Sequence, residues 1–385
     1  MKQLLKEIAV ISAGQSAPQG DCNYCDNGRP FVKAGNLPEL IGGTKITDIQ
    51  KVSEKVANKY RLKLYPKGTV LFAKSGMSCM KGYVYVLPCE AYVVSHLACI
   101  IPKSDISEYL GYYFKYKKPN QLVKDAAYPS ISLCDIGNLE IDVKDFFTRK
   151  NIVTTLQQIE LIIALRQQEI QKLDNLVKAR FVELFGDPVT NEKNWPRLTL
   201  GDICEIGSSK RVFEKEYVPN GVPFFRTKEI VELSKGNQIS TELFISKEHF
   251  EKLKKSYGVP KKDDLLISAV GTIGTIWIVN GDFEFYFKDG NLIHIKASPN
   301  FSSIFMKYLL NELIANYKKE MSTGTAYSAL TIAGLKKMLV YDVPLVKQNQ
   351  FATLVKQVDK SKAAVQKSLD KLQILFDKLM QEYFG

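Results

Sequence analysis

The sequence contains no run of about 18 consecutive apolar residues, the length a membrane-spanning helix requires. Met1 to Gly20 also lacks the basic, apolar, small-residue order of a secretory signal. These two absences lead to the expectation of a cytoplasmic protein without a membrane partner. Seven cysteines (22, 25, 79, 89, 99, 134 and 204) are an odd number at uneven spacing, which argues against a disulfide framework. Cys22 and Cys25 form a C-x-x-C, but no second pair follows at zinc-ribbon spacing, and the three histidines (96, 249, 294) are scattered. Structural zinc needs four convergent ligands, so no metal site is expected.

The common catalytic signatures are missing too. There is no G-x-x-x-x-G-K-[ST] phosphate loop, G-x-S-x-G elbow, H-E-x-x-H helix, or H-x-E with P-C-x-x-C. The Asn/Asp/Ser-Pro-Pro-aromatic tetrapeptide of an amino-methyltransferase is also absent. Asp263-Asp264 could be mistaken for nuclease carboxylates, but no acidic-plus-lysine cluster surrounds them. They read as the start of a solvated strand, and the chain is expected to be non-catalytic.

What is present begins with length and charge. A chain of 385 residues that is 45% hydrophobic is long for one domain and suits two. Lysine plus arginine exceed aspartate plus glutamate by 53 to 41, a net charge of +12 with a pI near 9.1. Such a balance favours a polyanionic partner, nucleic acid first. Charge alone fits equally well a basic protein with no such partner.

The two halves repeat. With a shift of 199 residues, "IVTTLQQIELIIALRQQEIQKLDNLVKARFVELFG" (Ile152 to Gly186) lies without a gap over "FATLVKQVDKSKAAVQKSLDKLQILFDKLMQEYFG" (Phe351 to Gly385). Apolar residues recur at helical spacing in both: Ile152, Ile159, Ile163, Ile170, Leu173, Val177 and Leu184, then Phe351, Val355, Val358, Val365, Leu369, Leu372, Phe376 and Leu379. Neither segment holds an internal Gly or Pro, and about 35 residues make a helix of roughly 50 Å. Two matching seams in one chain most simply pair with each other. Gly186 and Pro188 close the first.

The segments before the helices echo each other as well. "AYPSISLCDIGNLEIDV" (Ala127 to Val143) matches "AYSALTIAGLKKMLVYDV" (Ala326 to Val343), and "LLKEIAVISAG" (Leu4 to Gly14) matches "LTLGDICEIGS" (Leu198 to Ser208). "TVLFAKSGMSCMKGYVYVL" (Thr69 to Leu87) matches "DLLISAVGTIGTIWIVN" (Asp264 to Asn280), each an apolar strand, a small-residue turn and a second strand. The expected organisation is therefore a β-rich domain over 1–146, a helix over 147–186, a second β-rich domain over 187–345 and a second helix over 346–385. The fold class is α+β with a pseudo-two-fold internal repeat.

This arrangement, with "QQEIQKLDNLVKARFVELFGDP", the two strand-turn-strand segments and "AYSALTIAGLKKMLVYDVP", resembles the specificity subunit of type I restriction-modification enzymes along essentially the whole chain. It departs from the family at "VKDFFTRKN" (Val143 to Asn151), which lacks the usual proline-led P-P-x-x-E-Q helix start. The resemblance implies two target-recognition domains, each reading one half of a bipartite, asymmetric double-stranded DNA sequence, with the helices antiparallel as a coiled-coil spacer. The implied partners are two adenine-N6 methyltransferase subunits and a restriction endonuclease/translocase subunit. S-adenosylmethionine, ATP and Mg then belong to those partners, and no cofactor belongs to this chain. The competing reading is a stand-alone DNA-binding or scaffold protein dimerised through its helices, and the isolated chain could also self-associate through faces meant for other subunits.

Candidate DNA contacts are Lys33, Asn36, Lys74, Ser75, Lys81 and Tyr128 in the first domain, and Arg226, Thr227, Lys228, Ser268, Thr272, Thr325 and Tyr327 in the second. Lysines suit phosphates, whereas Arg226 and Asn36 have the geometry for bidentate base contacts. An exposed lysine is also an ordinary surface residue. Tyr128 and Tyr327 occupy matched places, which suits scaffold better than readout.

Overall fold

The computed structural model describes residues 2–322 and 329–385. It divides into two compact units, one made of Met1–Gln167 with Lys367–Gly385 and the other of Gln168–Gln366. Two helices of 40 residues, Phe146–Phe185 and Leu345–Phe384, each contribute to both units. The division thus differs from the four consecutive segments expected from sequence, because each unit takes the first part of one long helix and the last part of the other.

In the first unit, Ala9–Ala13, Leu97–Pro102, Val70–Ala73 and Val84–Val86 form an antiparallel sheet in that order. Lys51–Val52, Arg29–Val32 and Tyr92–Val93 form a second sheet, its last pair parallel. Lys2–Leu4 pairs with Glu140–Asp142 just before the central helix. Val70, Leu71, Phe72 and Ala73 are all buried, as expected of an apolar strand covered on both faces. Helix Ser107–Lys117 contributes Phe114, whose ring lies 5.0 Å from that of Phe72.

The second unit repeats this topology. Ile206–Gly207, Leu292–Ile295, Leu265–Ser268 and Ile276–Ile278 follow the same order, and Tyr217–Val218, Phe244–Ile245, Val222–Phe225 and Tyr286–Phe287 form its second sheet. Arg197–Thr199 pairs with Leu339–Tyr341. The repeat extends to single hydrogen bonds. The Leu5 N–H donates to the Leu139 carbonyl at 2.9 Å, and the Leu200 N–H to Met338 at 2.9 Å. This unit adds helices Thr227–Ser234 and Lys247–Tyr257.

One sequence expectation is overturned here. Asp264 does not begin a solvated strand: it is 4% exposed and accepts from His294 Nε2 at 2.7 Å and from the Lys261 and Ala297 N–H groups at 2.8 Å. Burial pushes its carboxyl up, but these three hydrogen bonds overcome that and hold it below the ordinary aspartate value. The matched residue in the first unit is Thr69, also buried, whose hydroxyl donates to the Pro66 carbonyl at 2.7 Å. Asp263 before it has φ +70, the conformation Gly68 adopts with φ +83 in the first unit.

Within each unit the helix segments run antiparallel and close the core. In the second, Phe185 and Phe181 face Phe351 at ring distances of 5.6 and 5.4 Å, and further along Asp174 pairs with Lys362 at 2.6 Å. In the first, Tyr112 joins the two segments, donating to Glu160 Oε2 at 2.6 Å and lying 6.5 Å from the Phe376 ring. Ile152, Leu156, Met380 and Phe384 enter one core with the sheet. Among the described residues no helix is long and apolar enough to cross a membrane.

Candidate nucleic-acid interface

Strand direction decides which loops meet. In the first unit the parallel strands Arg29–Val32 and Tyr92–Val93 end on the same side, as do Val70–Ala73 and the start of its antiparallel neighbour Leu97–Pro102. That edge therefore gathers Lys33, Lys74–Ser75 and Val94–His96, segments distant in sequence. Main-chain bonds fix them: Val94 N–H to Val32 carbonyl at 3.0 Å, Lys74 N–H to His96 carbonyl at 2.9 Å, Ser95 N–H to Gln15 carbonyl at 2.8 Å. Ile131 N–H donates to the Lys74 carbonyl at 2.7 Å and Gly76 N–H to Pro129 at 3.0 Å, so the segment bearing Tyr128 is stitched to the hairpin turn.

Several expected contacts thus come together. The Lys33 ammonium donates to Gln50 Oε1 at 2.6 Å and sits 4.4 Å from the Tyr24 ring centre, which aims it without neutralising it. Lys74 and Ser75 are half-buried at the turn, Lys81 is exposed further along it, and Tyr128 is 83% exposed. Asn36 uses its side-chain oxygen on the Lys33 N–H at 2.9 Å and so acts as a turn cap. His96, absent from the sequence candidates, contacts Ser75 Oγ through Nδ1 at 2.8 Å.

The second unit builds the same edge from Gly207–Arg211, Arg226–Glu229, Ser268–Thr275 and Lys288–Leu292. Lys288 N–H donates to Phe225 carbonyl at 2.9 Å, and Ala269 N–H to Asn291 carbonyl at 2.8 Å. Here the placements change the expected roles. Ser268 is fully buried, bonded to the Thr272 carbonyl and to Thr275 N–H, so it holds the turn and cannot touch DNA. Thr227 is likewise corrected, because its hydroxyl is buried. Thr272 is exposed on the turn.

Arg226 is committed within the unit. It pairs with buried Glu229 at 2.8 Å and with Glu242 at 3.3 Å, and Glu229 also caps its N–H at 2.8 Å. Burial works to raise the Glu229 carboxyl, but the hydrogen bonds with Arg226 hold it below the ordinary glutamate value. Arg226 is thus the structural counterpart of Lys33, with Glu229 in the place of Asn36. Lys228 is exposed, 3.7 Å from Glu242. Thr325 and Tyr327 lie outside the described residues.

Sequence reasoning also passed over Lys210 and Arg211. Ser208 Oγ donates to Leu292 carbonyl at 3.1 Å, and Arg211 pairs with Asp289 at 3.0 Å, which sets this basic stretch beside Asn291. The signal was visible as "GSSKR", small hydroxyl residues leading to two cations. Among the described residues no group of three or more His, Cys, Asp or Glu is placed to hold a metal.

Comparison with known proteins accords with this architecture. A family model described as type I restriction modification DNA specificity domain matches residues 2–175 and 192–373, one match in each half. The type I restriction enzyme MjaIX specificity subunit of Methanocaldococcus jannaschii is 25% identical over 264 residues, 63% of this chain and 60% of that protein. The match thus spans about three-fifths of that relative's length. In structure, the type I restriction-modification S subunit from M. genitalium superposes with a TM-score of 0.60 at 16% identity, covering 100% of this chain and 96% of that one. A chain from a structural study of complex assembly and conformational transition of the type I R-M system gives 0.61 at 17% identity, covering 100% and 97%. With a family model matched in both halves and the same fold over its whole length, the chain belongs to the type I restriction-modification DNA specificity family, as a specificity subunit.

Proposed function

We propose that each unit reads one half of a bipartite, asymmetric duplex DNA target through the edge described above. The observation that carries this reading is that the two edges share their main-chain bonds but not their side chains, the pattern expected of one scaffold used for two different half-sites. The long helices set the spacing of the half-sites and dock two adenine-N6 methyltransferase subunits, with a restriction endonuclease/translocase subunit completing the assembly. Leu161, Ile162, Leu165, Ile374 and Leu375 support the docking role: all are 41% or more exposed on the helix segments of the first unit, and clustered exposed apolar residues suit a partner surface. Methyl transfer with S-adenosylmethionine, and ATP- and Mg-dependent chemistry, are assigned to those partners.

Co-expression of the chain with a methyltransferase subunit, followed by methylome sequencing, tests the reading. The expected result is N6-methyladenine confined to one bipartite, asymmetric motif. A chain that dimerises and binds DNA without recruiting a methyltransferase would instead establish the stand-alone binding protein. Cleavage or methylation by the purified chain alone would overturn the non-catalytic role.

A further inference from the structure

The hairpin shoulders of the two units can be superposed bond by bond. Lys74 N–H to His96 carbonyl corresponds to Ala269 N–H to Asn291 carbonyl, and Ile131 N–H to Lys74 carbonyl corresponds to Leu330 N–H to Ala269 carbonyl at 3.2 Å. The next glycines, Gly76 and Gly271, share a positive φ, +76 and +78. These constraints pair Ser75 with Val270 and His96 with Asn291. Ser75 and Asn291 are half-buried and His96 is exposed, while Val270 is 46% exposed. The main chain is held in common and the outward chemistry is not.

We propose that Ser75–His96 in the first unit and Val270–Asn291 in the second are the positions at which the two edges discriminate bases. The proposal deepens the DNA-recognition reading and rests on it. Ser75 holds the imidazole through Nδ1, and Nε2 has no hydrogen-bond partner among the described residues. We assign the Ser75 hydroxyl as the donor to Nδ1, which places the proton of the neutral ring on Nε2 and makes it a directed donor for a major-groove acceptor such as purine N7, guanine O6 or thymine O4. Lys33 and Lys74 flank it as phosphate contacts. In the second unit, exposed Val270 has no donor or acceptor and suits a thymine methyl, while the Asn291 amide suits adenine N6 and N7. Lys210 and Arg211 take the phosphate role there. The first half-site should therefore disfavour cytosine at the position this pair reads, and the second should specify an A·T pair.

Selection of bound duplexes from a randomised DNA library by the full chain, with its methyltransferase subunits bound, tests this. Wild type should select a bipartite consensus. His96→Ala should lose preference at one position of one half-site, discrimination there falling at least about fivefold, with the other half-site unchanged. Val270→Ser with Asn291→Ala should do the same to the other half-site only. His96→Asn, which installs the second unit's residue, should change the preferred base while keeping affinity. An unchanged consensus for His96→Ala, or an equal loss of affinity on all sequences, would overturn the assignment. A wild-type complex that binds DNA but selects no consensus would overturn the recognition reading beneath it, and the two failures are told apart by the wild-type result alone.

Discussion

The two units close their helix pairs with the same four positions, phenylalanine at one of them in both units and different residues at the other three. The first uses Ile152, Leu156, Met380 and Phe384, and the second uses Phe351, Val355, Phe181 and Phe185. Each residue in one set is 199 positions from its counterpart in the other. The second unit's set is richer in phenylalanine and adds Phe305, 4.8 Å from Phe185, while the first draws its rings from the domain, with Tyr109 at 5.2 Å from Phe384. In both units a ring from the domain therefore packs on the phenylalanine that ends a long helix. Packing constrains the volume of a seam far more tightly than the identity of each residue in it.

The largest expected effect breaks this comparison directly. Phe351→Ala should destabilise the second unit by about 3–5 kcal/mol, and Ile152→Ala the first by roughly 2–4 kcal/mol. Both tryptophans, Trp195 and Trp277, lie in the second unit, so denaturant unfolding followed by their fluorescence reports it alone. Amide hydrogen exchange reports the first. If Phe351→Ala left the tryptophan transition in place, the aromatic seam would not hold that unit.

Next comes the pair Thr69 and Asp264. Asp264→Ala strands His294 and two main-chain N–H groups and should cost about 3 kcal/mol, whereas Thr69→Ala should cost about 1 kcal/mol. Only the second unit gains a pH dependence from this place. Because the folded-state value of Asp264 is depressed, its contribution is complete above the ordinary aspartate value of about 3.9 and is lost as pH falls through the lower folded-state value. Tryptophan-detected acid unfolding of wild type and Asp264→Asn should differ above that range and converge below it. Parallel curves throughout would argue against the buried carboxylate.

Smaller again is the contrast between Arg226 and Lys33. Arg226→Ala leaves buried Glu229 without its cation and should destabilise by about 2 kcal/mol, while Lys33→Ala stays within about 0.5 kcal/mol. Loss of base preference by Arg226→Ala without loss of stability would restore the direct readout its residue type suggests. The smallest effect belongs to Lys74→Ala, which should leave both unfolding transitions unchanged, weaken binding to all duplexes and lower the logarithmic salt slope by about 1. A sequence-selective loss would make Lys74 a base reader instead.

Much of the fold was legible because it rests on local and repeated signals. Helical periodicity at Ile152, Ile159 and Val177, and again at Phe351, Val355 and Val358, states both the helices and their need for each other. The apolar strand at Val70 and its echo at Leu265 state the hairpin. The candidate interface was legible only in part. Lys33, Lys74 and Ser75 could be chosen by residue type, but His96 joins them only through an antiparallel neighbour strand, and no sequence spacing announces that. Residue type misled for Ser268 and Thr227, since a hydroxyl serves a turn as readily as a nucleotide, and it could not show that the Arg226 guanidinium pairs with Glu229 and Glu242. Asp264 looked solvated because its three hydrogen-bond partners come from distant or main-chain groups.

By itself the sequence determined a doubled chain of β-rich domains and long helices with a basic surface, because hydrophobic period, turn residues and net charge act locally or as sums. Tertiary structure decided that each compact unit combines the beginning of one helix with the end of the other, and which side chains of a matched edge face outward. Those outcomes depend on burial and on partners brought from far along the chain, and a linear order of residues does not contain them.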